Sequence, residues 1–105
     1  MKLYTQLNVG GSCEQAFRFY EKHLGGKITM MMKQSEAPDA PSGAGQAIIH
    51  ARMDIGDTVL IGNDVPGSVL KPMRSVYIYL SVDSPKEAER VHNLLADGGE
   101  ATVGV

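Results

Sequence analysis

Few side chains in this sequence have the type and setting for chemistry. His50 stands mid-run in Ala47-Ile48-Ile49-His50-Ala51-Arg52-Met53, and an imidazole exchanges protons near neutral pH, which suits a general base or a hydrogen-bonding group for a ligand. Read as a strand, this run puts His50 on one face with Ile48 and Arg52, and leaves Ile49, Ala51 and Met53 to pack on a helix. No second group of matched type is placed to complete a catalytic pair, so His50 is a weak catalytic candidate and a satisfied structural histidine is the better reading. His23 and His92 lie on helix flanks among charged or polar neighbours and read as solvated surface. Cys13 opens a helix, where the dipole would lower its pKa; with no base partner in sight, packing accounts for it better. Met30, Met31, Met32, Met53 and Met73 form a thioether-rich set. Thioethers suit Cu(I), but methionines more commonly fill core gaps and line adaptable apolar pockets.

The elements that must position these groups are legible in the hydrophobic pattern. Leu3, Thr5, Leu7 and Val9 alternate with Tyr4, Gln6 and Asn8, the period of a strand over Leu3–Val9. Gly10-Gly11 ends it. Ser12 with Gln15 reads as a capping box, and Cys13, Ala16, Phe17, Tyr20 and Leu24 form the buried stripe of a helix that Gly25 stops. Glu14, Arg18, Glu21 and Lys22 face water. Lys27–Lys33 is a strand, Gln34–Gly45 a loop, and Ala47–Ile55 and Thr58–Ile61 two strands joined by a tight turn at Gly56-Asp57. A second loop, Asn63–Met73, precedes a strand at Ser75–Val82. Ser84, Pro85 and Glu87 then stand as N-cap, N1 and N3 of a second helix with Ala88, Val91, Leu94 and Leu95 inward. Gly98-Gly99 ends it, and Glu100–Val105 reads as a strand.

A shift of 73 residues lays the chain on itself: Tyr4 on Tyr77, Leu7 on Leu80, Val9 on Val82, Glu14 on Glu87, and Gly25-Gly26 on Gly98-Gly99. The identities fall at positions of like role, which points to a duplicated strand–helix–strand unit. The first unit runs on through a hairpin and the second stops at Val105, so a full second copy would need roughly 30 more residues. The chain is therefore expected to be short by two strands at its C-terminal end. The open sheet edge this leaves is a template for another chain, and the protein is expected to be a homodimer, strand- or module-exchanged.

The segments LNVGGSCEQAFRFYEKHLGGKI, IIHARMDIGDTVLIGND and YLSVDSPKEAERVHNLLADGG, in the order β-α-β-β-β then β-α-β, resemble the vicinal oxygen chelate superfamily (glyoxalase/bleomycin-resistance/dioxygenase), and within it the PhnB-like branch. The resemblance implies an α+β fold of glyoxalase/bleomycin-resistance-like cupped sheets. One domain then spans 1–105, with a first module at 1–63, a loop at 64–74 and an incomplete second module at 75–105. It also implies a ligand cleft between facing cups, with Tyr4, Gln6, His50, Arg52, Ile61, Tyr77 and Tyr79 as ligand-binding residues and the Gln34–Gly45 loop closing over them. The superfamily's His-type metal positions fall on Tyr4 and Tyr77 and a Glu-type position falls near Ile61; neither tyrosine nor isoleucine suits a hard divalent ion, so no metal and no cofactor are expected. An S-adenosylmethionine site of Rossmann type would need a Gly-rich turn in a doubly wound sheet, and the order of elements contradicts that.

With 105 residues, a net charge of −2, no basic run and one cysteine, the sequence lacks the electrostatic footprint of a nucleic-acid or membrane-surface binder and cannot form an intrachain disulfide. No apolar run reaches the roughly 20 residues of a membrane span, and a cytoplasmic location is expected. These observations favour a non-metal binder of a small organic molecule without catalysis. The rivals are an enzyme using His50 and a cleft tyrosine for proton transfer, and a truncated fragment without activity.

Overall fold

The computed structural model describes residues 1–37, 45–66, 70–71 and 78–97. The chain divides into two units, Met1–Lys71 and Pro72–Val105. The first contains strand β1 (Thr5–Val9), helix α1 (Cys13–Leu24), strand β2 (Lys27–Lys33), a single 3-10 turn (Gln34–Glu36), strand β3 (Ile48–Ile55) and strand β4 (Thr58–Asp64). The second holds helix α2 (Pro85–Ala96).

In the first unit the sheet order is β1-β4-β3-β2, with β1 parallel to β4 and the other pairs antiparallel. This is the β-α-β-β-β module that the sequence pattern predicts, an α+β architecture with one helix on one face of a mixed sheet. The core lies beneath α1: Cys13, Phe17, Ile48, Ala51 and Met53 are buried, with Val9, Tyr20, Ile28, Met31, Ile55 and Leu60 packed around them. The helix sits close because β4 offers no side chain at Gly62. A Cβ there would stand 2.5 Å from Phe17 Cε1 and 3.1 Å from Cys13 Sγ. Gly25, with φ of 74°, closes α1 in the left-handed region as expected. Glu21 departs from expectation, because its carboxylate accepts the Ile28 N–H at 2.7 Å and ties the helix end to β2 instead of facing water.

Two bulges change which side chains face the helix. The β2–β3 register shifts between Ile28 and Met30 and again between Met32 and Lys33, leaving Thr29 in β2 and Ile49 in β3 as extra residues. Ile28 and Met31 thus both reach the core. Ile48 is buried at 1% exposure while Ile49 stands 40% exposed, the reverse of the strict alternation expected for this run. His50 and Arg52 keep the face expected of them; Ile48 does not share it.

The start of α1 is also built differently. Ser12 makes no side-chain cap bond. Asp64 replaces it from the end of β4: its Oδ1 accepts from the Gly11 and Cys13 N–H groups at 2.9 and 3.0 Å, and its Oδ2 accepts from Ile48 N–H at 2.9 Å. A carboxylate at the positive end of a helix dipole, holding several amides, is a strong cap. Its position explains why β4 runs to Asp64, past the Ile61 expected from sequence: Asn63 and Asp64 pair with Asn8 and Val9 of β1.

In the second unit α2 begins as read, with Pro85 in its first turn and the Ser84 hydroxyl accepting from Glu87 N–H at 3.1 Å. Val91 is its buried residue, whereas Leu95 stays 40% exposed. Of the strand expected at Ser75–Val82, residues 78–82 are described and belong to no strand. Ile78, Tyr79, Leu80 and Val82 are all exposed, without the ladder partners that turn an alternating sequence into a sheet strand. Ser75–Tyr77, the Gly98-Gly99 stop and the Glu100–Val105 strand lie outside the described residues. Among the described residues no helix is long and apolar enough to cross a membrane.

Candidate functional site

With α1 covering one face of the first unit's sheet, the opposite face is left for function. The register sets its layout. Gln6 pairs with Ile61, Ile61 with Arg52, and Arg52 with Met30, so these four stand in one row across all four strands. Their neighbours on the same face follow from the alternation of strand side chains: Asn8 from β1, Val59 and Asn63 from β4, His50 and Asp54 from β3, and Met32 from β2, with Tyr4, just before β1, joined to them through Arg52. Five of the residues expected at the site, Tyr4, Gln6, His50, Arg52 and Ile61, thus come together on one surface. Tyr77 lies outside the described residues, and Tyr79, 90% exposed, belongs to the second unit.

Two polar groupings organise this face. The Arg52 guanidinium lies over the Tyr4 ring, 5.3 Å from its centroid, a cation–π contact. Asp54 Oδ1 reaches Arg52 Nε only at 3.9 Å, the long limit of an ion pair. One strand further on, the Gln6 Nε2 group donates to Asn8 Oδ1 at 3.3 Å and to Asn63 Oδ1 at 3.2 Å, locking three amides together. A hollow of about 450 Å³ opens beside the first grouping, lined by Lys2, Leu3, Tyr4, Arg52, Asp54, Val59 and the β3–β4 turn with Asp57 and Thr58. The base of the Gln34–Gly45 loop is tied down by Gln34 N–H to Ala47 O at 2.7 Å and by Gly45 N–H to Gln34 Oε1 at 3.3 Å; residues 38–44 lie outside the described residues.

The titratable groups sort themselves by environment. His50 is half-buried, and its side chain makes no hydrogen bond or ion pair with any described residue that would fix its tautomer or orient it for proton transfer. Cys13 is fully buried, and burial, with the Asp64 carboxylate beside it, pushes the thiol up to about 11. That is opposite to the lowering expected from the helix dipole: in a dry setting next to a negative charge the thiolate is the disfavoured form. Cys13 is a packing residue.

The divalent ion that the resemblance would imply finds no fit. Of the positions corresponding to its ligands, Ile61 has no donor atom and Tyr4 is already covered by a guanidinium cation. Among the described residues no group of three or more His, Cys, Asp or Glu side chains is placed to hold a metal. The sequence reading missed Lys2, Asn8, Asn63 and Asp54 at this face. The signal for the two asparagines was present in the alternation itself, since Asn8 follows Gln6 at a spacing of two and Asn63 follows Ile61 likewise.

No protein-family model and no curated protein matches the chain. Solved structures do. Protein PA1353 from Pseudomonas aeruginosa superposes with a TM-score of 0.83 at 32% identity, over 93% of this chain and 74% of that one. A PhnB protein from Bacillus cereus, named as a 3-demethylubiquinone-9 3-methyltransferase, superposes with a TM-score of 0.75 at 19% identity, over 91% of this chain and 74% of its own. The second likeness shows the fold, which is PhnB-like. With close to a third of its residues identical across nearly its whole length, the chain belongs to the family of PA1353.

Proposed function

We propose that this protein is a metal-free, small-molecule-binding member of the vicinal oxygen chelate superfamily, of the glyoxalase/bleomycin-resistance type, and that it sequesters its ligand without catalysis. The observation that carries the reading is the Tyr4–Arg52 stack at the edge of a 450 Å³ hollow on the open face of the sheet. An aromatic plate, a preorganised cation and a locked amide cluster make a surface that orients a flat organic molecule. His50 supports binding over chemistry, since it has no partner among the described residues to act with. The cleft is completed by a second copy: among the described residues β1 is an edge strand, and Leu3 and Tyr4 just before it are 97% and 39% exposed, apolar surface that a partner chain would cover. The lone, buried thiol of Cys13 suits the cytoplasm.

Native mass spectrometry of the purified chain tests this directly. A dimer carrying an organic adduct is the expected spectrum, and the adduct's mass gives the ligand. Titration of that ligand should then be nearly unchanged in His50→Ala and at least tenfold weaker in Tyr4→Ala. Turnover abolished by His50→Ala in a folded protein would replace the binding reading with the catalytic one.

A further inference from the structure

We infer that the ligand of this face is a small planar organic carboxylate, seated with its carboxylate on the outer edge of the Arg52 guanidinium and its flat body against Tyr4 and Val59. The inference rests on the binding role proposed above and narrows it to a chemical class.

Arg52 carries it. A guanidinium presents five N–H donors in a planar fork that matches a carboxylate with two parallel bonds. Among the described residues Asp54 is the carboxylate that pairs with Arg52, reaching Nε at 3.9 Å and leaving the two terminal nitrogens unpartnered. The guanidinium carbon lies over the Tyr4 ring, 5.3 Å from its centroid, and Arg52 pairs with Ile61 on one neighbouring strand and Met30 on the other. An arginine held over an aromatic ring with its fork open has already lost part of the rotamer freedom that binding an anion would cost it.

The rest of the hollow agrees. Lys2 lines it and has no ion pair among the described residues, so a second cation is available to the same anion. Asp54 and Asp57 also line it, which makes the net field close to neutral; selection therefore comes from the geometry of the fork and not from bulk charge. Tyr4 and Val59 supply an apolar wall. Polar substituents at the far end of the ligand would meet the amide cluster, where Gln6 spends both amide protons on Asn8 and Asn63 and keeps its own oxygen for an incoming donor.

The test titrates the full chain with three probes of nearly identical shape: benzoate, neutral benzamide and cationic benzamidine, followed by two-dimensional amide NMR. The expected result is saturable shifts at Tyr4, Gln6, Arg52 and Ile61 with benzoate, and binding at least tenfold weaker for the other two. Arg52→Lys should weaken benzoate about tenfold, because a point charge replaces a fork, and Arg52→Gln should abolish it. Both variants should keep the parent spectrum elsewhere, since Arg52 is not in the core. Equal or tighter binding of benzamide or benzamidine at the same residues overturns the carboxylate assignment and leaves the binding role standing. No shift on this face with any probe overturns both.

Discussion

The approach of α1 to the sheet depends on an absent side chain, and Gly62→Ala measures that dependence. The new Cβ would lie 2.5 Å from Phe17 Cε1, 2.7 Å from Cζ and 3.1 Å from Cys13 Sγ. An ordinary carbon–carbon contact needs about 3.5–4.0 Å, so something must move by about an ångström. Phe17 is 1% exposed and Cys13 fully buried, leaving neither a free direction. Overpacking of this kind costs about 1–3 kcal/mol, and a rigid ring clash belongs at the upper end. Removing a strand glycine works the other way, by about 0.5–1 kcal/mol. The net expectation is a loss of about 2 kcal/mol, or a melting point lower by about 10 °C for a unit of this size. Urea unfolding followed through the β3 and β4 amide signals reads the first unit alone. Phe17→Leu in the Gly62→Ala background should then cost at least about 1 kcal/mol less than it does in the parent, because the two residues share one contact. A Gly62→Ala protein within about 0.5 kcal/mol of the parent, or strict additivity in the double variant, would show that the helix is not held off by this contact.

Other outcomes follow from the same packing. Asp64→Asn should destabilise the first unit by about 2–3 kcal/mol, since bonds to a charged acceptor are the strong ones, whereas Ser12→Ala should change it by less than about 0.5 kcal/mol; chemical denaturation of both variants checks the contrast. Ser84→Ala removes a working cap and should cost α2 about 1 kcal/mol, seen as faster amide exchange in its first turn. Cys13 rises from 9.0 to about 11 on folding, so the native state holds its proton where the unfolded state has lost it. Its contribution is complete below about pH 9 and is lost as pH climbs toward about 11, by an order of 2–3 kcal/mol; a Cys13→Ala variant should show a flatter alkaline limb. At pH 8 the native thiol should resist iodoacetamide and react only in denaturant.

What could be read from sequence was whatever local chemistry decides. Strand β2, the α1 stripe, the Gly56-Asp57 turn and the Ser84 cap each depend on residues within a few positions of one another. The bulges at Thr29 and Ile49 do not. They are properties of how β2 and β3 pair, and a run with two adjacent isoleucines gives no local reason to bury Ile48 in preference to Ile49. Asp64 was hidden for a related reason: its partners lie 53, 51 and 16 residues away, while Ser12 offered a nearer cap with the right chemistry. The open face was legible in part because strand alternation alone puts Tyr4 with Gln6, and His50 with Arg52. Their assembly into one row needed the strand order. The exposed stretch at 78–82 shows the converse: alternation alone predicts a strand there, and pairing with a neighbour is what makes one.

Asp64 also imposes a timetable on synthesis. A growing chain leaves the ribosome N-terminus first, at ~5–20 residues per second, so the carboxylate arrives roughly 3–10 s after the Gly11 and Cys13 amides it serves, which lie 53 and 51 residues upstream. Through that interval α1 is a 12-residue helix with its first turn unlocked, at the short limit of what holds together alone in water. One residue then closes the helix start, the head of β3 and the end of β4 in a single event. A nascent chain stalled ahead of that residue offers proteases and chaperones an unlatched helix, and one released beyond it offers a finished module.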